Sequence, residues 1–242
     1  MRKLMRKEIT LAASVSCFNL YNLESQVPLM EEAGVELLHF DVVDGRFNDC
    51  IILGTPTLEA LRPHTELPIE VHLGVYQPER YIKQFIDSGA DYIAVHYEAM
   101  NNPEKVFDQI LNLGAQPILA LKAETDVNED MLRLLPYVDW IIKLTVNPGY
   151  SGQKLKIETI EKIRELRTAI RAKGYHTGIE ADGNINLSTV PLVVEAGADI
   201  LTGGTSGLFL HNRSIKECAQ SMLETAVEHY AKIKKEEYTQ II

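Results

Sequence analysis

Four side chains in three short apolar runs could hold a single metal ion: His39 and Asp41 in LLHFDVVDG, His72 in IEVHLGV and Asp182 in IEADGN. His39 and Asp41 stand two residues apart. That spacing puts both on one face of a β-strand, and on nearly opposite sides of a helix. Neutral imidazoles with carboxylates suit a divalent transition ion such as Zn²⁺, Fe²⁺, Mn²⁺ or Co²⁺, with Zn²⁺ favoured, and the missing thiolate argues against a closed structural zinc site. Taken singly, a His or Asp near a strand end is more often a hydrogen-bonded structural residue. Their joint placement in a repeating architecture argues for an open, catalytic site.

The elements that must position them repeat along the chain. Eight runs rich in Val, Ile and Leu read as strands: ITLAASV, VELLHFDVV, LPIEVHLGV, DYIAVHY, AQPILAL, VDWIIKLTV, HTGIEA and ADILTGG. Amphipathic, charged stretches at 24–33, 57–63, 78–88, 103–113, 127–135, 156–172, 188–196 and 214–232 read as the helices between them. Eight βα units predict an α/β fold, a TIM (β/α)8 barrel, as a single domain over 1–242 with its core at about 9–225. In AGVELL, SGADYI and AGADIL, the glycines Gly34, Gly89 and Gly197 fall where a helix ends before a strand. The tail KIKKEEYTQII reads as a frayed continuation of the last helix.

Composition narrows the class. A chain of 242 residues with 45 % hydrophobic content can bury a large core. It has no apolar run of 18 residues, and the start MRKLMRKEIT lacks the apolar stretch of a signal peptide, so a cytoplasmic protein with no membrane partner is expected. Cys17, Cys50 and Cys218 are scattered and odd in number, which fits reduced thiols. A formal net charge of −10 without a basic, aromatic-rich cluster disfavours nucleic acid as a partner. Exposed barrel helices often support homo-oligomers, and one is expected here.

In a TIM barrel the active site lies at the C-terminal ends of the strands, where His39, Asp41 and His72 fall late in their runs and Asp182 just after its own. Strand alternation makes Ser14 a mouth residue. Three Gly-bearing turns follow the last strands: NPGYSGQ at 147–153, DGN at 182–184 and GGTSG at 203–207. Glycines let backbone N–H groups approach phosphate oxygens, so three such turns on one rim suggest a phosphorylated ligand. A metal and two carboxylates facing a phosphate anchor suit proton abstraction beside a carbonyl. One carboxylate removes a carbon-bound proton and the other returns one on the opposite face, which is epimerisation.

Over roughly residues 9–225 the chain resembles the ribulose-phosphate 3-epimerase family. The motifs that carry the resemblance are AASVSCFNL, HFDVVDGRF, EVHLGVYQPERYI, GADYIAVHYE, TVNPGYSGQKL, EADGNIN and AGADILTGG. The resemblance implies a phosphorylated ketose as substrate, with D-ribulose 5-phosphate and D-xylulose 5-phosphate interconverted through an enediolate whose charge a metal stabilises. His39, Asp41, His72 and Asp182 would be the ligands, and Asp41 and Asp182 also the two acid/base groups. Ser14 and His72 would contact substrate. The phosphate positions carry over to Gly149, Tyr150, Ser151 and Gly152, to Gly183 and Asn184, and to Gly204 and Thr205. Departures occur at Val43, Gly74 and Leu144, where family members usually have methionines, at Ala13 in place of Pro, and at Asn184 in place of a second Gly. GTSGLF at 204–209 is similar to the allulose-6-phosphate 3-epimerase branch.

Two other functions compete. A Schiff-base sugar-phosphate lyase would use Lys143, but if Leu144 lines the mouth then alternation turns Lys143 outward. A non-catalytic sugar-phosphate binder would need neither acid/base carboxylate. His96 and Glu98 alternate in VHYEA and read as supporting rather than ligating residues, Trp140 reads as packing, and Cys17 and Cys50 lie near rim loops without a visible role.

Overall fold

The computed structural model describes residues 1–149 and 152–239. Its elements in chain order are β1 (Thr10–Ser14), α1 (Leu23–Glu32), β2 (Leu37–Asp44), β3 (Ile51–Ile52), α2 (Thr55–Leu61), β4 (Ile69–Gly74), α3 (Ile82–Asp87), β5 (Tyr92–His96), α4 (Pro103–Asn112) and β6 (Gln116–Leu121). There follow α5 (Glu129–Leu132), β7 (Trp140–Leu144), α6 (Glu158–Ala172), β8 (Gly178–Ile185), α7 (Val190–Ala196), β9 (Ile200–Gly203) and α8 (Ile215–Thr239). Eight strands pair in parallel, and β1 closes the ring by pairing with both β2 and β9. The fold is a single TIM barrel. Strand β3 is the addition that periodicity did not show: two residues folded back antiparallel on the end of β2, with Val43 opposite Ile52. Asp182, expected just past its strand, lies inside β8.

Both faces of each barrel strand are buried, so the runs are almost continuously apolar and their alternation shows only in what each face touches. One face points into the barrel, where Leu37, Tyr92, Ala94, Ile118, Trp140, Ile142 and Leu144 form a central cluster. The other, with Leu38, Phe40, Val71, Ile93, Ile141 and Ala181, packs against the helices in a second, larger cluster. Gly34, Gly89 and Gly197 sit at helix ends with φ of +82°, +109° and +116°, the left-handed conformation that stops a helix and favours glycine. Helix α8 runs on through the tail to Thr239.

The chain start seals the barrel floor. Leu4 is 7 % exposed and joins the central cluster, its backbone N–H donating to Tyr92 Oη at 2.8 Å. On either side Arg2 pairs with Glu66 and Arg6 donates to the carbonyls of Asp139 and His176. Leu4→Ala should therefore cost about 2–5 kcal/mol, the range for truncating a buried leucine. Urea unfolding would read this as a lowered midpoint at unchanged slope. Among the described residues no helix is long and apolar enough to cross a membrane.

Candidate active site

Neighbouring strands bring the four predicted ligands to one point. Asp41 stands beside His72 in the β2–β4 register, His39 beside Ser14 across β1–β2, and Asp182 beside Leu144 across β7–β8. His39 Nε2 lies 3.0 Å from Asp41 Oδ1, 3.3 Å from His72 Nδ1 and 3.6 Å from Asp182 Oδ2. His72 Nδ1 lies 3.3 Å from Asp41 Oδ1 and 4.0 Å from Asp182 Oδ2. Donors bonded to one zinc-like ion at about 2.1 Å stand roughly 3.4 Å apart at tetrahedral angles, so this spacing fits a shared cation. The electrostatics agree. Burial works against charge on His39, yet Asp41 and Asp182 outweigh it and hold the imidazole well above its usual range. Asp41 is held well below the ordinary carboxylate range because His39 and His72 overcome its burial. Burial, with Asp41 adding to it against the pull of His39, pushes Asp182 up to about 6. The carboxylates favour positive charge at the centre of the cluster, which a divalent ion would supply.

Each histidine is held from behind. His39 Nδ1 lies 2.8 Å from Glu70 Oε1 and 3.1 Å from Glu180 Oε1, so Nδ1 carries the proton and Nε2 faces the cluster. Trp140 Nε1–H donates to Glu70 Oε2 at 2.6 Å, and the Thr202 hydroxyl donates to Glu180 Oε1. Both glutamates are completely buried, and burial together with Glu180 pushes Glu70 up to about 8. Sequence reading missed this pair and gave Trp140 a packing role alone. The signal was present in alternation, since Glu70 precedes His72 by two residues and Glu180 precedes Asp182 by two. His72 Nε2 lies 3.0 Å from His96 Nε2, and His96 Nδ1 lies 3.2 Å from Glu98 Oε2. Burial brings His96 down to about 4, whereas the bond from His96 outweighs burial at Glu98 and draws it to about 2.

A cleft opens at the cluster, lined by Ser14, Asp41, His72, His96 and Asp182 and also by Gly149, Gly152, Gly183, Asn184, Gly204 and Thr205. Tyr150 and Ser151 lie outside the described residues. The Ser14 hydroxyl donates to Asp41 Oδ2 at 3.0 Å, as does that of Ser16 at 3.2 Å, a second serine the sequence did not single out. Gly183 has φ +119°, and a Cβ there would sit 2.5 Å from Val146 Cγ2. Asn184 has φ +52°, a conformation asparagine tolerates better than most residues, and its Oδ1 accepts from Asn186 Nδ2 at 3.2 Å. The Gly-to-Asn departure is thus absorbed by the turn itself. Across the mouth, Asn48 donates to the Pro148 carbonyl and the Cys50 thiol to that of Gly149 at 3.1 Å, so the loop after β2 closes against the turn after β7. Val43, Gly74 and Leu144 line the cleft where the resemblance expects methionines.

Lys143 points the other way. Its Nζ donates to the carbonyls of Lys122 at 2.6 Å and Thr125 at 2.8 Å, outside the barrel wall, and burial, with Lys162 nearby, brings it down to about 8. Borohydride treatment with ketose phosphate should therefore leave the intact mass unchanged. An adduct at Lys143 would establish the lyase chemistry instead.

A model of the ribulose-phosphate 3-epimerase family matches residues 10–209. The chain belongs to that family. A ribulose-phosphate 3-epimerase of Methanocaldococcus jannaschii is 35 % identical over 220 residues, covering 91 % of this chain and 92 % of the relative. Those of Chlamydia muridarum and Bacillus subtilis are 36 % and 35 % identical, covering 94 % and 82 % of this chain and 100 % and 91 % of the relatives. Family membership makes the protein an epimerase, and so an isomerase. Among solved structures, KGPDC from Streptococcus mutans superposes with a TM-score of 0.67 at 12 % identity, covering 93 % of this chain and 100 % of that one. The 3-hexulose-6-phosphate synthase from Salmonella typhimurium gives 0.63 at 15 % identity, covering 91 % and 100 %. At such identities these two speak for the barrel alone.

Proposed function

We propose that the protein interconverts D-ribulose 5-phosphate and D-xylulose 5-phosphate at carbon 3 by two-base proton transfer, with His39, Asp41, His72 and Asp182 holding one divalent ion. The observation that carries the reading is the convergence of two carboxylates and two histidines in a cleft that glycine turns also line. Glycine N–H groups at Gly183 and Gly204 anchor the phosphate and lay the sugar across the cluster. Asp182 and Asp41 flank carbon 3 from opposite sides, one taking its proton as the other delivers one. Ser14 and Ser16 hold Asp41 Oδ2 and so fix the carboxylate plane. A bound divalent ion, Zn²⁺ being favoured, would polarise the neighbouring carbonyl and spread the charge that develops when the proton leaves.

The segment GTSGLF at 204–209, beside the departures at Val43, Gly74 and Leu144, favours one second reading, an allulose-6-phosphate 3-epimerase. Comparing kcat/KM for D-ribulose 5-phosphate and D-allulose 6-phosphate decides between them, and a preference for the hexulose would replace the pentose assignment. We also assign the protein to the cytoplasm, in keeping with its three free thiols, and to a homo-oligomer, in keeping with the exposure of Tyr21 and Ile51 at 94 % and 86 %. Light scattering on the eluting protein reads the second assignment.

A further inference from the structure

We propose that Glu98 and His96 form a positioning relay that orients His72, keeping a proton on its Nε2 so that Nδ1 is the nitrogen left for a cation beside Asp41. The inference rests on reading His39, Asp41, His72 and Asp182 as one cation site.

The relay begins at its outer end. Glu98 sits in the turn after β5, where its Oε1 accepts the Lys122 N–H at 3.0 Å and the Thr125 hydroxyl. Its Oε2 lies 3.2 Å from His96 Nδ1. An ionised carboxylate only accepts, so Nδ1 of His96 must carry a proton, and a neutral His96 then presents a lone pair at Nε2. That lone pair lies 3.0 Å from His72 Nε2, which must donate. Nδ1 of His72, 3.3 Å from both Asp41 Oδ1 and His39 Nε2, is then the nitrogen that gives up its proton to a bound cation. With His96 neutral, reversing any one member sets two lone pairs or two protons face to face.

The surroundings hold this arrangement still. The His96 ring is completely buried and packs on Phe47 with centroids 4.7 Å apart, while Lys122 Nζ caps the other ring at 4.1 Å. The segment that supplies both donors to Glu98 is itself gripped by Lys143 through the carbonyls of Lys122 and Thr125. The lysine that tempts a lyase reading therefore anchors the outer end of the relay.

A purely structural Glu98 would tolerate an isosteric amide, and a relay would not. In Glu98→Gln the amide oxygen stays with Lys122 N–H and Thr125, so the amide NH₂ faces His96 Nδ1 and reverses every donor down the line. The proton then moves onto His72 Nδ1 and blocks the ligand position. Zn²⁺ affinity by chelator competition should fall about 10–100-fold, the usual consequence of losing a partner behind a metal ligand. His96→Phe, which removes the carrier of the reversal, should mask Glu98→Gln in the double variant rather than add to it. Ring ¹H–¹⁵N spectra of histidine-labelled, metal-free protein should show His96 protonated at Nδ1 and His72 at Nε2 in the wild type, and His72 without its Nε2 proton in Glu98→Gln. Wild-type Zn²⁺ affinity in a folded Glu98→Gln variant would overturn the relay, as would a wild-type His72 without a proton on Nε2. Should the variant not fold, the wild-type spectrum decides alone. Failure of the wild type to bind Zn²⁺ would sink the cation site itself, a result separate from the tautomer reading.

Discussion

Asp182→Asn is expected to lower epimerisation by about 10²–10⁴-fold, the usual contribution of a positioned acid or base. The loss should be one-sided. With Asp41 intact, one epimer still presents its carbon 3 proton to a working base, so that epimer should exchange with solvent while failing to cross over. Asp41→Asn should reverse the pattern, protecting the first epimer and exposing the second. Proton NMR in D₂O, started separately from each ketose phosphate, reads both outcomes. The chain's own arrangement suits the division of labour: Asp182 sits 3.6 Å from His39 Nε2 on β8, whereas Asp41 reaches the cluster from β2 and is fixed by two serine hydroxyls. Full interconversion by either variant would exclude the two-base scheme.

Stripping divalent ions with a chelator should lower kcat/KM by ~10³-fold or more, because Lewis-acid stabilisation of developing charge contributes several kcal/mol and each 1.36 kcal/mol is tenfold. Adding back Zn²⁺, Mn²⁺, Fe²⁺ or Co²⁺ should restore turnover to different degrees. The same ions should raise the melting temperature, since a ligand at 100 times its Kd stabilises the folded state by about 2.7 kcal/mol. A His39→Ala variant should lose both responses, as His39 Nε2 lies within 3.6 Å of all three other donors. Activity and melting temperature indifferent to chelator would show that the cluster works as a hydrogen-bonded network without an ion.

How much of this could be read from the sequence depends on the physics of each feature. The barrel was legible because buried parallel strands are apolar on both faces, and runs such as DYIAVHY and VDWIIKLTV stand out between charged helices. The four donors were legible because two-residue spacing on a strand keeps side chains on one face, which placed His39 with Asp41. Strand β3 was not, since a two-residue ribbon carries too few residues for any period. Glu70 and Glu180 stand two residues before His72 and Asp182, on the same strand faces, and were passed over because a glutamate in an apolar run reads as a solvated edge. The outward direction of Lys143 followed from parity with Leu144, but its grip on the carbonyls of Lys122 and Thr125 depends on how β6 and β7 end side by side, which no local pattern encodes.

The central claim is two-base epimerisation of a ketose phosphate at carbon 3. Proton NMR of D-ribulose 5-phosphate in D₂O with Zn²⁺-loaded protein tests it most directly. The account predicts deuterium at carbon 3 together with D-xylulose 5-phosphate as product. Unlabelled substrate, with no new ketose after prolonged incubation at high enzyme concentration, would contradict it.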